Sequence, residues 1–389
     1  MPTAVPAPRR LDADRCPGAL QVHEAADGGL ARIRVPGGVV SLTQWAALQE
    51  YAPLDLTSRA NVQIRGVADP TALAMRLASA GLLPSATHER VRNIVASPLG
   101  DVRPVVTGLD RELCASPDLA ALPGRFLFAV DSARDVAGLG ADVTVLLGSD
   151  PVPVLLAGVD CGLRVRVDQA VPALLAAAWG FLAERRAQES RAWRLAEVDD
   201  GPARVAARVA DALGVPLSRP DVTAPPPPAS GPIGVAPGGV GAVAPLGRLT
   251  AVQMARIGEL ARDEIIVTPW RGVVLPGVGA SALDALTDVG LVTDPASPWA
   301  TATACTGLPG CAKSLADVRA DASVALGVAQ PAPGLSPVHF VGCERRCGHP
   351  VGVHVDVLAT ADGYQVDGFP VDDVDELPAI VAAARRSKQ

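Results

Sequence analysis

The sequence predicts an α+β fold with internal pseudo-two-fold symmetry. Three observations carry this: a weak internal repeat, a proline-rich break between its copies, and the same strand–helix–strand–helix order in each copy. The repeat sets "GGVVSLTQWAALQEYAPLDLTSRANVQIRGV", residues 37–67, beside "LGRLTAVQMARIGELARDEIIVTPWRGVVLPGV", residues 246–278. It pairs Gln44 with Gln253, Glu50 with Glu259, Thr57 with Thr268 and Gly66-Val67 with Gly277-Val278; farther on, "SAGLL" answers "DVGLV". The strands are short, β-branched and alternating, and the helices, including "PTALAMRLASAG" and "SALDALTDVG", carry apolar residues at helical spacing. Two copies about 210 residues apart indicate a duplication rather than a solenoid. A ligand is expected between the duplicated halves.

The break, "RPDVTAPPPPASGPIGVAPGG" at 219–239, reads as a linker or extended crossing, since proline removes the donors that a helix or central strand needs. One decoy lies nearby. "GVGASA" at 277–282 follows a strand and opens a helix, as a dinucleotide fingerprint does, but its counterpart in the first copy is "GVADPT", without the glycine pattern. "GVGAVA" at 239–244 sits in the proline-rich segment and is weaker still. No P-loop, HExxH or GxSxG motif is present.

Composition narrows the function classes. A length of 389 residues suggests two or three domains, and 49% apolar against 19% charged residues allows ample burial. A net charge of −7 argues against nucleic acid as a partner, because a phosphate backbone selects basic surfaces. Lys313 and Lys388 are the two lysines, so arginine carries almost all of the positive charge. The opening "MPTAVPAPRRLDADRCPG" lacks the apolar run of a signal peptide, and "VPALLAAAWGFLAERRAQ" is too short and too charged to span a bilayer. A cytoplasmic protein without a membrane partner is expected.

In that compartment the seven cysteines do not read as a disulfide framework. Cys114 and Cys161 are isolated and read as small buried hydrophobes; Cys16 stands in a loop motif, "RCPG". The other four form a constellation: Cys305-x5-Cys311, then Cys343-x3-Cys347. Structural zinc favours short knuckles of the C-x2–4-C type, which the wider first pair fits poorly. An iron–sulfur cubane is larger than one ion and takes its four thiolates from a wider span. The spacing therefore favours a cluster over zinc, with unrelated thiols as the third reading. "CAKSLADVRADA" is expected to run on as a helix whose N-terminus faces the site.

The C-x5-C…GC-x3-C pattern resembles that of the nitrite and sulfite reductase family. "RIRVPGG" is similar to the family's first strand, "LTSRANVQIRGV" to its TxRxxxQ(H/R) element, "VRNIVASPLG" to its RN element and "LPGRFLFAVD" to its LPRKFK loop. The resemblance spans nearly the whole chain. It implies a nitrite/sulfite reductase-like α+β fold, with a ferredoxin-like half-domain at 15–85, an α+β domain at 86–215 and a Pro/Gly-rich linker at 216–240. A second ferredoxin-like half-domain at 241–298 and an iron–sulfur-binding α+β domain at 299–389 complete it. It also implies a 4Fe-4S cluster on Cys305, Cys311, Cys343 and Cys347, and a binding cradle of Arg59, Gln63, Arg65, Arg92, Asn93 and Arg125. Arg59 and Arg65 are expected on one face of an alternating strand, and Arg271 is a further candidate.

Departures point to one branch. The two loop lysines of sulfite reductases fall at Arg125 and Leu127, so one substrate cation is missing, and "GHP" follows the last cysteine. With the "RCPG" opening, these features resemble the precorrin-3B synthase branch of aerobic cobalamin biosynthesis. That resemblance implies precorrin-3A and dioxygen as substrates, an NADH-linked reductase or ferredoxin as electron donor, and a possible mononuclear non-haem iron whose ligands the sequence does not name. His349, two residues after Cys347, is the candidate catalytic group; His339 and His354 read as core histidines on apolar strands. Two rivals remain: a sirohaem-dependent sulfite or nitrite reductase, and a non-enzymatic iron–sulfur electron carrier.

Overall fold

A computed structural model describes residue 14 and residues 16–371 and 373–388. The opening stretch to residue 13, read above as free of a signal peptide, and Arg15 of "RCPG" lie outside the described residues. The chain divides into two compact units. The first comprises the segment up to Gln21, Arg34–Gly38 and Gly81–Pro227; the second comprises Val22–Ile33, Val39–Ala80 and Pro228–Gln389.

The second unit holds both copies of the repeat, and the paired residues prove to be structural. Helices Leu42–Gln49 and Ala251–Leu260 both open with a capping box, Ser41 with Gln44 and Thr250 with Gln253, each side chain bonding the other's backbone. Thr57 and Thr268 each head a tight turn, with Ala60 and Arg271 at φ 55° and 57° in equivalent places. Each copy builds most of a five-stranded sheet and takes its last strand from the other. In the first, Gly28–Ile33, Val62–Val67 and Leu54–Leu56 are completed by Arg248–Leu249. In the second, Gly239–Val243, Gly272–Pro276 and Glu264–Val267 are completed by Val39–Ser41. The exchanged strands are those that lead into the capped helices. Trp45, 1% exposed, then donates its indole N–H to the Met254 carbonyl at 2.9 Å and packs on Gly258, fastening helix to helix.

The same unit carries a mixed sheet in the order Ala302–Ala304, Val338–Val341, Val355–Thr360, Gly363–Val366, Phe369–Val371. Its first three strands are parallel and its last two antiparallel. Helices Val318–Gly327 and Leu377–Ser387 contribute Val318, Ala322, Leu377 and Val381 to the core, with Phe340 at the centre. The first unit has a sheet of the same pattern: Ile94–Ala96, Phe128–Asp131 and Val143–Leu146 parallel, Val152–Leu156 and Val159–Val165 antiparallel. Its core gathers Phe126, Phe128 and Phe181 with helices Arg103–Ala115, Ala170–Ala187 and Gly201–Leu213. Both α+β sheets thus share a strand order, and both half-domain sheets share another. Among the described residues, no helix is long and apolar enough to cross a membrane.

The proline-rich segment is shorter and more ordered than its composition suggests. Gly234–Ala236 and Gly239–Val243 form a β-hairpin, so "GVGAVA" is strand rather than linker. Its glycines admit close backbone approach: a Cβ at Gly241 would meet the Pro232 carbonyl oxygen at 2.2 Å. Upstream, Val222 and Ala224 pack on Leu146 and Leu155 of the first unit.

Trp45→Ala is expected to cost about 3–5 kcal/mol in urea unfolding, since it empties a filled site and removes the indole bond to the Met254 carbonyl. A loss below about 1 kcal/mol would show that the helix pair is not what fastens the two copies.

Candidate iron–sulfur site

Cys305 and Cys343 leave the carboxyl ends of two adjacent parallel strands, where ligands collect in mixed α/β sheets. The Cys305 N–H donates to the Phe340 carbonyl at 2.9 Å, continuing the ladder to the edge of the site. From there the loops are knit together: Leu315 N donates to Gly342 O at 2.8 Å, Cys311 N to Gly307 O at 2.9 Å and Arg346 N to Cys343 O at 3.1 Å. Gly342 has no room for a side chain, since a Cβ would lie 1.7 Å from Ser314 Oγ; its N–H instead donates to the Cys305 sulfur at 3.3 Å. Burial raises the Cys305 thiol pKa, the backbone N–H groups of Gly342 and Gly307 oppose that rise, and Cys347 and Cys311 add to it. Among the described residues, no three His, Cys, Asp or Glu side chains are drawn to the spacing of one metal ion.

The helix expected directly after Cys311 begins later. It spans Val318–Gly327, and the chain from Cys311 to Ala316 turns, with Ser314 N on the Cys311 carbonyl. Asp317 caps the helix through Ala320 N, so a carboxylate, rather than a thiolate, sits at its positive end.

Basic side chains grip the loop carbonyls. Arg65 makes a two-pronged pair with Asp27 at 2.7 and 2.9 Å and donates to Gly310 O, beside Cys311, at 2.7 Å. Arg319 donates to Cys305 O at 3.4 Å and to Leu246 O at 3.2 Å, and Arg271 donates to Gly348 O, beside Cys347, at 2.6 Å. Burial pushes both Arg271 and Arg319 down to about 10, with Arg319 acting on the first and Arg248 on the second; both stay charged at neutral pH. His339 is fully buried; its Nε2–H donates to Cys347 O at 3.1 Å while Nδ1 accepts from Thr303 at 2.7 Å. Burial pushes its pKa down to about 3, so the ring is neutral.

The sheet behind these arginines supplies a polar row in register: Arg32 opposite Gln63, Gln63 opposite Asp55, Asp55 opposite Arg248. Gln63 accepts from Arg32 Nε at 3.0 Å, and Arg248 pairs with Asp55 at 2.7 and 3.1 Å. A cavity of about 390 Å³ opens beside this row, lined by Asp27, Arg248, Leu308, Gly310, Arg319 and Ser323 among others.

The expected cradle divides. Gln63 and Arg65 share the exposed face of Val62–Val67, in the same unit as the cysteines. Arg59 is not on that strand but in the preceding turn, where Thr57 Oγ1 accepts from the N–H groups of Arg59 and Asn61 and Ala60 reverses the chain. Arg92, Asn93 and Arg125 belong to the other unit. Arg92 is held by Asp110 through two 2.7 Å bonds and donates to Leu82 O, so a ligand carboxylate would have to displace Asp110. Asn93, 1% exposed, donates to Gly124 O at 2.7 Å and shapes the "LPGRFL" loop. Arg125 is exposed, its guanidinium 4.8 Å from the centre of the Trp193 ring. His349 is exposed, donates Nδ1–H to Pro350 O at 3.0 Å and stacks on His354, ring centres 5.9 Å apart. His354 is therefore a half-buried loop residue, not a core histidine; its strand begins at Val355.

Arg319 and the part His339 plays on Cys347 escaped the sequence reading. The one available signal was the position of each within helical or strand distance of a cysteine, which many unrelated residues share.

A family model of the nitrite/sulfite reductase ferredoxin-like half domain matches residues 239–289, the second copy's sheet and its helices. Among solved structures, the chain is similar to the NirA protein of Mycobacterium tuberculosis, with a TM-score of 0.67 and 19% identity over 92% of this chain and 78% of that one. No curated protein matches. The architecture is nitrite/sulfite reductase-like, with duplicated half-domains and two α+β sheets.

Cysteine and histidine substitutions test the geometry. Cys305→Ser, Cys311→Ser or Cys343→Ser is each expected to abolish four-iron uptake on anaerobic reconstitution, whereas Cys114→Ser and Cys161→Ser retain it; four irons in Cys311→Ser would overturn the ligand set. His339→Leu removes the buried ring's bonds to the Cys347 carbonyl and to Thr303 and is expected to destabilise the iron-free protein by about 1–3 kcal/mol, read by urea unfolding.

Proposed function

We propose that this chain oxidises precorrin-3A, a reduced tetrapyrrole, to precorrin-3B in cobalamin biosynthesis, with a 4Fe-4S cluster on Cys305, Cys311, Cys343 and Cys347. One atom of dioxygen enters the ring as hydroxyl and a ring acetate closes the γ-lactone. The other oxygen leaves as water, and a reduced nicotinamide supplies the electron pair through a reductase or ferredoxin. The cluster, when bound, supplies one-electron transfer.

One observation carries the choice over a sulfite reductase: how the "LPGRFL" loop packs. Leu127, at the second lysine position of the family's loop, is 2% exposed and donates its N–H to Asp142 at 2.8 Å. A cation there would be buried with no ligand in reach, so the position is core and not merely a changed specificity residue. Gly124, at the loop's arginine position, has the Cβ of Cys16 3.0 Å from where its own would be. Cys16 of that opening thus occupies room that an arginine at 124 would need, which ties together the two departures that favour the cobalamin branch. Arginine suits the many carboxylates of such a substrate better than lysine, because its fork binds them two-pronged.

The half-domain match and the likeness to NirA favour a second reading, a sirohaem-dependent sulfite or nitrite reductase. The two are separated by incubating anaerobically purified protein with precorrin-3A, a reductant and labelled dioxygen. Product carrying one labelled oxygen is expected, with slow or absent sulfite reduction. Product formed at full rate without dioxygen, or a sirohaem spectrum with rapid sulfide release from sulfite, would overturn the proposal.

A further inference from the structure

We propose that Arg271 and Arg319 are the counter-charges of the cluster and hold its reduction potential up. The inference rests on the four cysteines holding a 4Fe-4S cluster.

Their partners set these two arginines apart. Arg248 has Asp55 and Arg65 has Asp27, each in a two-pronged pair. Among the described residues, no carboxylate lies within ion-pair distance of Arg271 or Arg319; both guanidinium groups donate only to carbonyls. Those carbonyls belong to Cys305, to Gly348 next to Cys347, and to Leu246. Asp55, and for Arg319 also Asp317, act on these half-buried cations only from beyond ion-pair contact, so an anion close beside them would favour the folded state. The loops they grip carry four thiols. Four thiolates around an oxidised cubane leave about two negative charges, an anion that two cations free of direct ion pairs can face. Reduction adds one more negative charge, so a fixed cation nearby favours the reduced form.

Both arginines also come from outside the cysteine loops. Arg271 projects from the Thr268 turn, and Arg319 from the first turn of helix Val318–Gly327. They therefore position the loops and add charge at once. The two roles separate by substitution: lysine keeps the charge and glutamine keeps a carbonyl donor without it.

The test is anaerobic reconstitution of the full chain with iron and sulfide, followed by an EPR-monitored redox titration. At the wild-type midpoint potential, Arg319→Gln and Arg271→Gln are each expected to lower the ratio of reduced to oxidised cluster about tenfold, a shift of about 59 mV for one electron. Arg319→Lys and Arg271→Lys are expected to recover most of it. Glutamine variants with a full cluster at the wild-type potential would overturn the proposal. Where a glutamine variant holds no cluster, its lysine partner decides: four irons retained supports a charge role, and none retained refutes it in favour of hydrogen bonding alone. Wild-type protein that takes up no iron and sulfide would instead overturn the cluster reading beneath it.

Discussion

The exchange of edge strands between the two copies is the constraint on which the second unit depends. Val39–Ser41 completes the sheet of the second copy and Arg248–Leu249 completes that of the first. Each copy's edge is covered by a strand of the other only two or three residues long, which blunts the usual liability of a long unpaired strand. The exchange also does chemical work. It brings Arg248 opposite Asp55 and so finishes the polar row that begins at Arg32 and Gln63.

The repeat was legible because capping and turn chemistry constrain residue type more tightly than packing does. Gln44 and Gln253 recur because a capping box needs a side-chain acceptor at its third helical position; Thr57 and Thr268 recur because a tight turn uses their hydroxyls. The duplication of the α+β sheets left no such trace. Their strands share an order but are joined by helices of different length, and a buried parallel strand tolerates any β-branched apolar residue. The hairpin Gly234–Val243 was hidden for the opposite reason: its glycines serve backbone contact, and composition alone makes them look like linker.

The site was legible in its ligands and less so in its surroundings. Four cysteines at fixed spacing announce themselves. Whether an arginine faces a ligand or an aspartate depends on residues far away in sequence, as Arg92 with Asp110 and Arg65 with Asp27 make plain. His339 and His354 looked alike on alternating apolar stretches, yet one is locked under Cys347 and the other stacks on His349. The difference lies in a two-strand register, which a single strand's pattern cannot reveal.

The near absence of lysine acquires a physical reading at this site. A lysine desolvated as Arg319 is would fall toward neutrality, since burial lowers an ammonium from a starting point about two units or more below that of a guanidinium. Arg271 and Arg319, lowered to about 10, still carry their charge. Arg319 can also reach Cys305 O and Leu246 O from two different nitrogens, joining a cysteine loop to the turn before the exchanged strand. One side chain thereby couples the duplicated scaffold to the thiols it presents, which a point charge on a flexible stem does poorly.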